Sequence, residues 1–440
     1  MPLTDNQKAL QKRIYQRTKV DEPIEPTDER YVPIYENLTN DPIEELKTTI
    51  DLLEVESIQF FSGFRGSGKT TQLFRLRQNL EDEGYFVIYA NALEYVNPAT
   101  ELGITELLIA IAGAFSDALE EKLGKDIVKE SYWTRLWHYL NKTNVDVTEF
   151  GVSGIGSAFN MKAILKSTPS FRQKLQDSIR DRIDELKNNV DKFIEDGVKL
   201  IQSRTSKDIK IVFIFDQLEQ IRGSLSDEEN VLKSVEQIFT LNTHLLKLNY
   251  LNTIYTVPPW LRFVMTSENI VTLRGIKQWE NDEKRTKCGE GNNIFRQIIE
   301  KRFEPDGIET FFGKGKEKEN KLNKFVDSCG GSLRQLLRLI NISLLRIKDA
   351  PFSDELIDGA ISELENSFTI TIEDAFWLDK IAKSRAESLL NTNTENVNKL
   401  TRLIDTHLVL YFRNGKDWYD IHPLTRKKVA EIIKQNPKKE

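Results

Sequence analysis

Residues 63–70, GFRGSGKT, have the composition and spacing of a loop that binds the phosphates of a nucleotide. They match the pattern G-x-x-x-x-G-K-[ST], with an apolar segment before them and an amphipathic segment after them, as this motif requires. The glycines let successive backbone N–H groups turn toward an anion, and the helix that follows adds its positive end. We expect Lys69 to reach the β- and γ-phosphates of ATP, the Thr70 hydroxyl to coordinate Mg²⁺, and Thr71 to contact the α-phosphate. The predicted nucleotide contacts are therefore Gly63, Arg65, Gly66, Ser67, Gly68, Lys69, Thr70 and Thr71.

A second group of candidate residues lies in FIFDQLEQ, residues 213–220. Asp216 follows a run of apolar residues that indicates a buried strand, and in a parallel sheet its carboxylate would lie at the edge where ligands bind. Asp216 is therefore predicted to be a Mg²⁺ residue, as Thr70 is, although an acid at this place can also cap a helix. Because Gln217 cannot accept a proton, the candidate general base is Glu219, whose alternative role is that of an exposed glutamate at a helix start.

The composition limits the classes of protein that the chain can belong to. Its 440 residues, of which 30% are charged, are typical of a globular protein with two or three domains. The formal net charge of -6 excludes a uniformly basic nucleic-acid-binding protein, and the two cysteines have no spacing that indicates a disulfide framework or a zinc site. No signal peptide is evident and no segment approaches ~18 consecutive apolar residues, so we expect a cytoplasmic protein without a membrane partner.

Strands and helices alternate along most of the chain. The apolar runs IQFF, YFVIYA, IKIVFIF and LRFVMT indicate four buried strands separated by helical segments, which predicts an α/β fold with a mainly parallel sheet. Residues 1–37 are polar and contain several prolines, so they are expected to form an extended arm. Residues from about 126 to 205 are expected to be an insertion. It would contain a hairpin in VDVTEFGVSGIGSAF and one long helix, whose apolar face along residues 171–201 packs on the main domain.

The order of these motifs resembles that of P-loop ATPases of the AAA+ and STAND superfamilies, especially the origin-recognition-like, NACHT and KAP branches. The resemblance is carried by the phosphate loop, then FIFDQLEQ, FVMTSEN and GGSLRQLLRLI. It implies a P-loop NTPase core at residues 38–310 that contains the helical insertion, a helical lid at residues 311–368, and a C-terminal winged-helix domain at residues 369–440.

The same resemblance implies roles for polar residues that follow the strands. The strand-end motif of NACHT proteins has the form D-G-h-D-E, and Asp216 and Glu219 match two of its acids. Where that motif has its last acid, this chain has Gln220. Ser267, at the end of the predicted fourth strand, matches the polar sensor position that contacts the γ-phosphate.

Three arginines are candidates for contacts with the γ-phosphate. Arg334, in GGSLR, matches the arginine that begins the sensor helix in the lid of AAA+ proteins. Oligomeric members of the superfamily also insert an arginine finger into the site of a neighbouring subunit, for which Arg274 is the first candidate and Arg302 the second. The catalytic residues implied by the resemblance are therefore Glu219, Ser267, Arg334 and Arg274.

The function implied is that of an ATPase switch that uses ATP and Mg²⁺, forms a homo-oligomer and regulates a protein effector, with bacterial antiphage defence as the favoured pathway. One alternative is an ATP-dependent DNA-binding loader or transposition regulator. Residues 413–440 carry eight lysines and arginines against four acids, and Asn414-Gly415 predicts the hairpin of a winged helix that would use this charge on DNA. A further alternative is a nucleotide-locked scaffold that hardly hydrolyses ATP, consistent with Gln217 and Gln220.

Overall fold

The computed structural model describes residues 2–36, 40–53, 56–124, 130–143, 145, 148–150, 160–223, 227–265, 270–385, 394–414 and 416–437. The helices are α1 (Asp5–Arg17), α2 (Pro42–Leu52), α3 (Lys69–Asp82), α4 (Ile104–Leu123), α5 (Tyr132–Lys142), α6 (Met161–Ser167), α7 (Pro169–Ile179), α8 (Ile183–Arg204), α9 (Glu228–Thr240), α10 (Thr243–Leu246), α11 (Gly289–Phe312), α12 (Gly315–Ser328), α13 (Leu333–Arg346), α14 (Asp354–Asn366), α15 (Ile372–Ser384), α16 (Thr394–Asp405) and α17 (Arg426–Gln435). The strands are β1 (Ile58–Gly63), β2 (Phe86–Asn91), β3 (Ile211–Asp216), β4 (Asn252–Val257), β5 (Ile270–Leu273), β6 (Val409–Asn414) and β7 (Lys416–Ile421).

The main sheet has five strands in the order β2, β3, β4, β1, β5. The pairs β2 and β3, β3 and β4, and β1 and β4 are parallel, and helices lie between these strands in the sequence. β3 is buried along its whole length and ends at Asp216, as the apolar run predicts. The α/β fold is therefore confirmed, and β1, the phosphate loop and α3 form the strand, loop and helix of a P-loop protein.

The prediction that LRFVMT forms the fourth strand is wrong. The fourth strand is β4, and the segment Pro259–Phe263 forms a short 3-10 turn. β4 is buried although it carries polar side chains, because Ser57 Oγ donates to Asn252 Oδ1 at 2.8 Å and Thr253 Oγ1 donates to the Ser57 carbonyl at 3.1 Å. These hydrogen bonds satisfy polar groups that would otherwise oppose burial, and two consecutive prolines then prevent the strand from continuing.

The chain forms two compact units, which we describe separately. The loop unit consists of Met1–Asp41, Gly63–Phe74 and Leu273–Glu440, and the sheet unit consists of Pro42–Ser62 and Arg75–Thr272. In the ranges that the structure describes, no helix is both long enough and apolar enough to span a bilayer.

The N-terminal segment of the loop unit is not an extended arm throughout, because its first part is helix α1. The helix begins at a capping box in which Thr4 and Gln7 exchange hydrogen bonds between side chain and backbone. α1 packs on α11 and α13, and its buried Ile14 lies against Gly307, where a methyl group would come within 2.7 Å of Ile14 Cδ1. The sequence of α1 has few apolar residues, so its helical period is weak, and packing on its neighbours stabilises it.

The helical part of the predicted insertion belongs to the sheet unit and packs on α4. The predicted long helix is two helices, α7 and α8, joined by a 3-10 turn at Arg180–Arg182. Most of its apolar stripe is buried as predicted, and Gly197 brings α8 close to α4, since a methyl group there would lie 2.5 Å from Phe115 Cε1. Most of the predicted hairpin VDVTEFGVSGIGSAF lies outside the described residues, and Thr148–Phe150 within it forms a 3-10 turn.

The C-terminal part of the loop unit has the predicted order of helices, hairpin and helix. α15 and α16 precede the antiparallel pair β6 and β7, in which Asn414 is opposite Lys416, and α17 follows. The hairpin buries Phe412 against Trp418 with ring centroids 4.7 Å apart. α15 packs on α17 and on β7, so these elements share a core.

Candidate nucleotide-binding site

The phosphate loop has the backbone conformation that its glycines predict. Gly66 has φ +74° and Gly68 has φ +94°, a region in which a residue with a side chain is strained. Lys69, the first residue of α3, is buried, and its Nζ donates to the carbonyl oxygens of Gly63 at 2.8 Å and Phe64 at 3.1 Å. The loop therefore fixes the ammonium group beside the backbone that is predicted to hold the phosphates.

Arg334, the predicted lid arginine, lies directly on this loop. A methyl group in place of a Gly66 hydrogen would lie 2.4 Å from Arg334 Nε, 2.6 Å from its Cβ and 2.9 Å from its Cδ. The two residues are 268 positions apart in the sequence, and both belong to the loop unit. The structure thus brings together two of the predicted site elements, a glycine of the phosphate loop and the arginine predicted to belong to a lid.

The glycine pair before α13 determines where Arg334 lies. Gly330 and Gly331 have φ +63° and +78°, and a methyl group on Gly331 would come within 2.5 Å of the Ile276 carbonyl oxygen. The N–H of Ile276 donates to the Gly331 carbonyl at 3.2 Å, and Ser332 then caps α13. Both the conformation and the close approach require glycine, so α13 begins at a fixed point beside the segment that follows β5.

Two residues of the N-terminal segment also reach the site. Asp21 Oδ1 lies 2.5 Å from Arg334 Nη2, and the N–H of Ile24 donates to Thr71 Oγ1 at 3.2 Å. Burial lowers the pKa of the Arg334 guanidinium from its ordinary value, the charge of Asp21 opposes this, and the positive charge of Arg65 adds to it. Thr71, predicted to contact the α-phosphate, therefore already accepts a hydrogen bond from the chain's own backbone.

A cavity of about 20 Å³, which is room for roughly one water molecule, lies beside the phosphate loop within the loop unit. Its walls are mostly apolar or aromatic side chains and glycine backbone, and the Tyr35 hydroxyl donates to the Arg274 carbonyl at 2.6 Å. The apolar lining is of the kind found in small-molecule sites, whereas the volume is far below the roughly 300 Å³ or more of such sites. The pocket is lined by Tyr35, Phe64, Ser67, Arg274, Gly275, Ile276, Gly330, Gly331, Ser332, Leu333, His407, Leu410 and Phe412.

The two finger candidates have different surroundings. Arg274 follows β5 and lines the pocket beside the phosphate loop of its own chain. Arg302 is 6% exposed in α11, and its Nη1 donates to backbone carbonyls, among them that of Arg30 at 3.4 Å. Burial lowers the pKa of Arg302 to about 10. A finger must project toward a neighbouring subunit, so the burial of Arg302 makes it a structural residue rather than a finger.

The sheet unit holds the candidate acids. Asp216 is fully buried, and its carboxylate accepts a hydrogen bond from the Tyr89 hydroxyl at 2.8 Å and from the N–H of Gln217 at 2.7 Å. Burial, and next the charge of Asp216, raise the pKa of Tyr89 above its ordinary value. The sequence reasoning missed Tyr89 because it lies within the apolar run YFVIYA, which predicts only a core strand.

Glu219 lies in the 3-10 turn Leu218–Gln220 that follows β3. Gln217, with φ +74°, reverses the chain there, and the N–H of Leu218 donates to Thr256 Oγ1 at 3.1 Å. The negative charge of Glu219 contributes to the raised pKa of Tyr89, which indicates that Glu219 lies close to this phenol. Thr256, near the end of β4, was also missed, because β4 itself was not predicted. Ser267 lies outside the described residues.

The donor groups fit Mg²⁺ better than a transition metal. Mg²⁺ prefers oxygen ligands and is usually held by one or two protein groups together with substrate phosphates and water. Thr70, in the loop unit, and Asp216, in the sheet unit, are the predicted Mg²⁺ residues, and each carries an oxygen donor of this kind. In the described ranges, no group of three or more histidine, cysteine, aspartate or glutamate side chains forms a self-contained metal site.

Comparison with known proteins gives structural neighbours only, since no family model and no curated protein matches the sequence. The chain is similar to the ORC2 protein of Aeropyrum pernix in its ADPNP-ADP complexes, with 14% identity, coverage of 96% of each chain and a TM-score of 0.41. The ADP form of that protein gives 13% identity, coverage of 96% of this chain and 98% of that chain, and a TM-score of 0.42. A Walker-type ATPase of Pyrococcus abyssi gives 12% identity, coverage of 92% and 100%, and a TM-score of 0.34. At these identities and TM-scores the neighbours carry no argument about the function of this chain, and the STAND and NACHT assignment stays a prediction.

Proposed function

We propose that the chain binds Mg²⁺ and ATP at the phosphate loop and hydrolyses the ATP, so that the presence of the γ-phosphate controls the lid. The observation that carries this proposal is the contact between Arg334 and Gly66. A cation on the lid that lies on the phosphate-binding backbone is placed to add a contact that ATP can make and ADP cannot. Gain or loss of that contact shifts a two-state equilibrium of the lid.

Each residue of the phosphate loop has a separate task in this proposal. The N–H groups of residues 66–70 bind the phosphate oxygens, and Lys69 neutralises the β- and γ-phosphates. Thr71 contacts the α-phosphate in this proposal. Thr70 and Asp216 are the proposed ligands of Mg²⁺ or of its water shell. Bound Mg²⁺ would offset the negative charge that builds up on the phosphates during transfer.

Hydrolysis requires a group that orients or deprotonates the attacking water, and we propose Glu219 for this role. Its support is its place one turn after Asp216 and its electrostatic effect on Tyr89, which is hydrogen-bonded to Asp216. Arg334 and Ser267 are the proposed contacts of the γ-phosphate. Arg274 stays a proposal as a finger for a neighbouring subunit of a homo-oligomer.

The division of the chain into core, lid and winged helix also stays a proposal. So does its role, which is to regulate a protein effector in antiphage defence. The alternative role of the winged helix in DNA binding has less support from the charges of α17. Arg426 lies 2.6 Å from the Asp420 carboxylate, and Lys428 Nζ donates to the Phe368 carbonyl at 2.9 Å. Phosphate contacts need basic groups that are free to leave such partners.

The test is a comparison of nucleotide binding and turnover between the parent protein and Lys69→Ala. We expect Lys69→Ala to lose about tenfold or more in affinity for ATP with Mg²⁺, because it removes the buried ammonium that is proposed to bind the β- and γ-phosphates. Lys427→Ala is the matched control, since Lys427 is 83% exposed and lies on α17. Equal binding by the parent and Lys69→Ala would contradict the proposal.

A second variant separates the ATPase from the nucleotide-locked scaffold. Glu219→Gln keeps the shape of the side chain but cannot accept a proton, so we expect binding to be retained and turnover to fall by about 10²-fold or more. If the parent and Glu219→Gln both bind ATP and both turn it over at the same negligible rate, the scaffold is the better description.

A further inference from the structure

We propose that Asp21 determines the preference for ATP over ADP, by competing with the γ-phosphate for the guanidinium of Arg334. This inference rests on the proposed function and names the regulation of the same site. The carboxylate of Asp21 carries the charge and the oxygen acceptors through which a terminal phosphate would bind Arg334. The segment that carries Asp21, residues 18–31, would therefore be displaced from Arg334 by ATP and not by ADP.

The segment is held at both of its ends, so Asp21 is presented to Arg334 by the fold. Before it, α1 packs on α11 and α13, and Arg17 Nε donates to the Arg302 carbonyl at 3.1 Å. Near its other end, Arg302 Nη1 of α11 donates to the Arg30 carbonyl at 3.4 Å. The residues between these anchors include the ones that contact the site.

Two contacts join this segment to separate parts of the candidate site. Asp21 pairs with the lid through Arg334, while the N–H of Ile24 donates to Thr71 on the first turn of α3. One stretch of four residues thus touches the predicted γ-phosphate residue and the predicted α-phosphate residue. A nucleotide that binds both of these residues must change both contacts.

The two partners of the ion pair differ in burial, which decides which of them can leave. The side chain of Asp21 is 75% exposed, whereas that of Arg334 is 20% exposed and lies on Gly66. Asp21 can return to water without creating a buried charge, and Arg334 can stay where the phosphates bind. An exposed ion pair is weak, so a phosphate with more negative charge can replace it at a modest cost in affinity.

The expected change in nucleotide affinity is small, because the ion pair between Asp21 and Arg334 is weak. Competition by an ion pair of this exposure corresponds to a factor of about 2 to 5 in affinity. Asp21→Asn removes the competing charge and should tighten binding of ADPNP with Mg²⁺ by this factor. Binding of ADP should change little, because ADP leaves the pair between Asp21 and Arg334 intact.

The experiment measures the dissociation constants of ADP and ADPNP by calorimetry for the parent, Asp21→Asn and Glu22→Gln. Glu22 is the matched control, since it is the adjacent acid and pairs with Arg30 rather than Arg334. We expect the ratio of the ADP constant to the ADPNP constant to rise about 2- to 5-fold in Asp21→Asn only. In an Arg334→Ala background, Asp21→Asn should leave the ratio unchanged, a result that a merely structural role for Asp21 would not produce.

The possible outcomes separate this inference from the proposed function. If the parent binds both nucleotides and Asp21→Asn leaves their ratio as it was, the inference is wrong and the proposed function stands. A ratio that rises equally in Glu22→Gln would show a general charge effect and would also overturn it. If the parent binds neither nucleotide, the proposed function fails, and this inference fails with it.

Discussion

The contact between Gly66 and Arg334 leads to a quantitative prediction for Gly66→Ala. Alanine at φ +74° places a Cβ in the left-handed region, which costs about 1–2 kcal/mol. The new methyl group would also lie within 2.9 Å of three side-chain atoms of Arg334, one of them the Cβ, which cannot swing away. Overpacking of this kind costs a further ~1–3 kcal/mol. We expect the free energy of unfolding to fall by about 2–5 kcal/mol in total.

Gly68→Ala is the matched control for this change. Gly68 belongs to the same loop and has φ +94°, but nothing lies within 4 Å of a methyl group placed there. Its expected loss is therefore the backbone term alone, about 1–2 kcal/mol. The measurement is urea unfolding without nucleotide, in which the shift of the midpoint at an unchanged slope gives the difference in stability.

The double variant Gly66→Ala with Arg334→Ala completes the cycle. Alanine at position 334 removes Nε and Cδ from the contact but keeps Cβ, so it should relieve part of the clash. The losses in the free energy of unfolding of the two single variants should therefore sum to more than the loss of the double variant. Equal losses for Gly66→Ala and Gly68→Ala, together with additive effects in the cycle, would mean that Arg334 does not lie on the phosphate loop.

Four further predictions concern two helix glycines, a buried histidine and the buried acid Asp216. Gly197→Ala should lower the free energy of unfolding by about 1–2 kcal/mol, because its methyl group overlaps an aromatic ring on α4. Gly359→Ala, a helix glycine with open space around it, should instead raise it by about 0.5–1 kcal/mol, and a loss there would contradict the packing described. Burial lowers the pKa of His422 to about 3, so the unfolded chain takes up the proton first as the pH falls below about 6.5. The contribution of His422 to stability should therefore fall by about 3 kcal/mol between pH 7 and pH 4, measured in urea titrations as the difference between the parent and His422→Asn. Tyr89→Phe removes a hydrogen bond to the Asp216 carboxylate and should cost about 1.5–3 kcal/mol in urea unfolding; an unchanged midpoint would show that this bond contributes nothing.

The parts of the site that the sequence predicted correctly have local causes. The conformation of the phosphate loop depends on glycines and a helix start that lie within a few residues of one another. The eight residues of the motif are therefore enough to predict it. β3 was predicted for the same reason, since a continuous run of apolar residues is typical of a strand that is buried on both faces. Each of these signals is complete within one segment of the chain.

The elements that were predicted wrongly depend on partners elsewhere in the chain. β4 is polar in sequence, and its burial is understood only when Ser57 is seen to bond Asn252 and Thr253. α1 has a weak apolar stripe, and it is stabilised by α11 and α13. The ion pair of Asp21 and Arg334 joins residues that are 313 positions apart. The spacing of apolar residues within one segment does not indicate contacts with residues so far away in the sequence.

The burial of charge at the candidate site favours a role in binding over a role in stability. Lys69 is 5% exposed and Asp216 is fully buried, and an ion taken out of water costs several kcal/mol unless its surroundings compensate for it. Apolar side chains of similar volume at buried ionic positions often give equal or greater stability. A chain selected for stability alone would gain by losing these charges, whereas a chain that binds phosphates needs the ammonium. Lys69→Ala should therefore lose nucleotide binding without a matching loss in the free energy of unfolding.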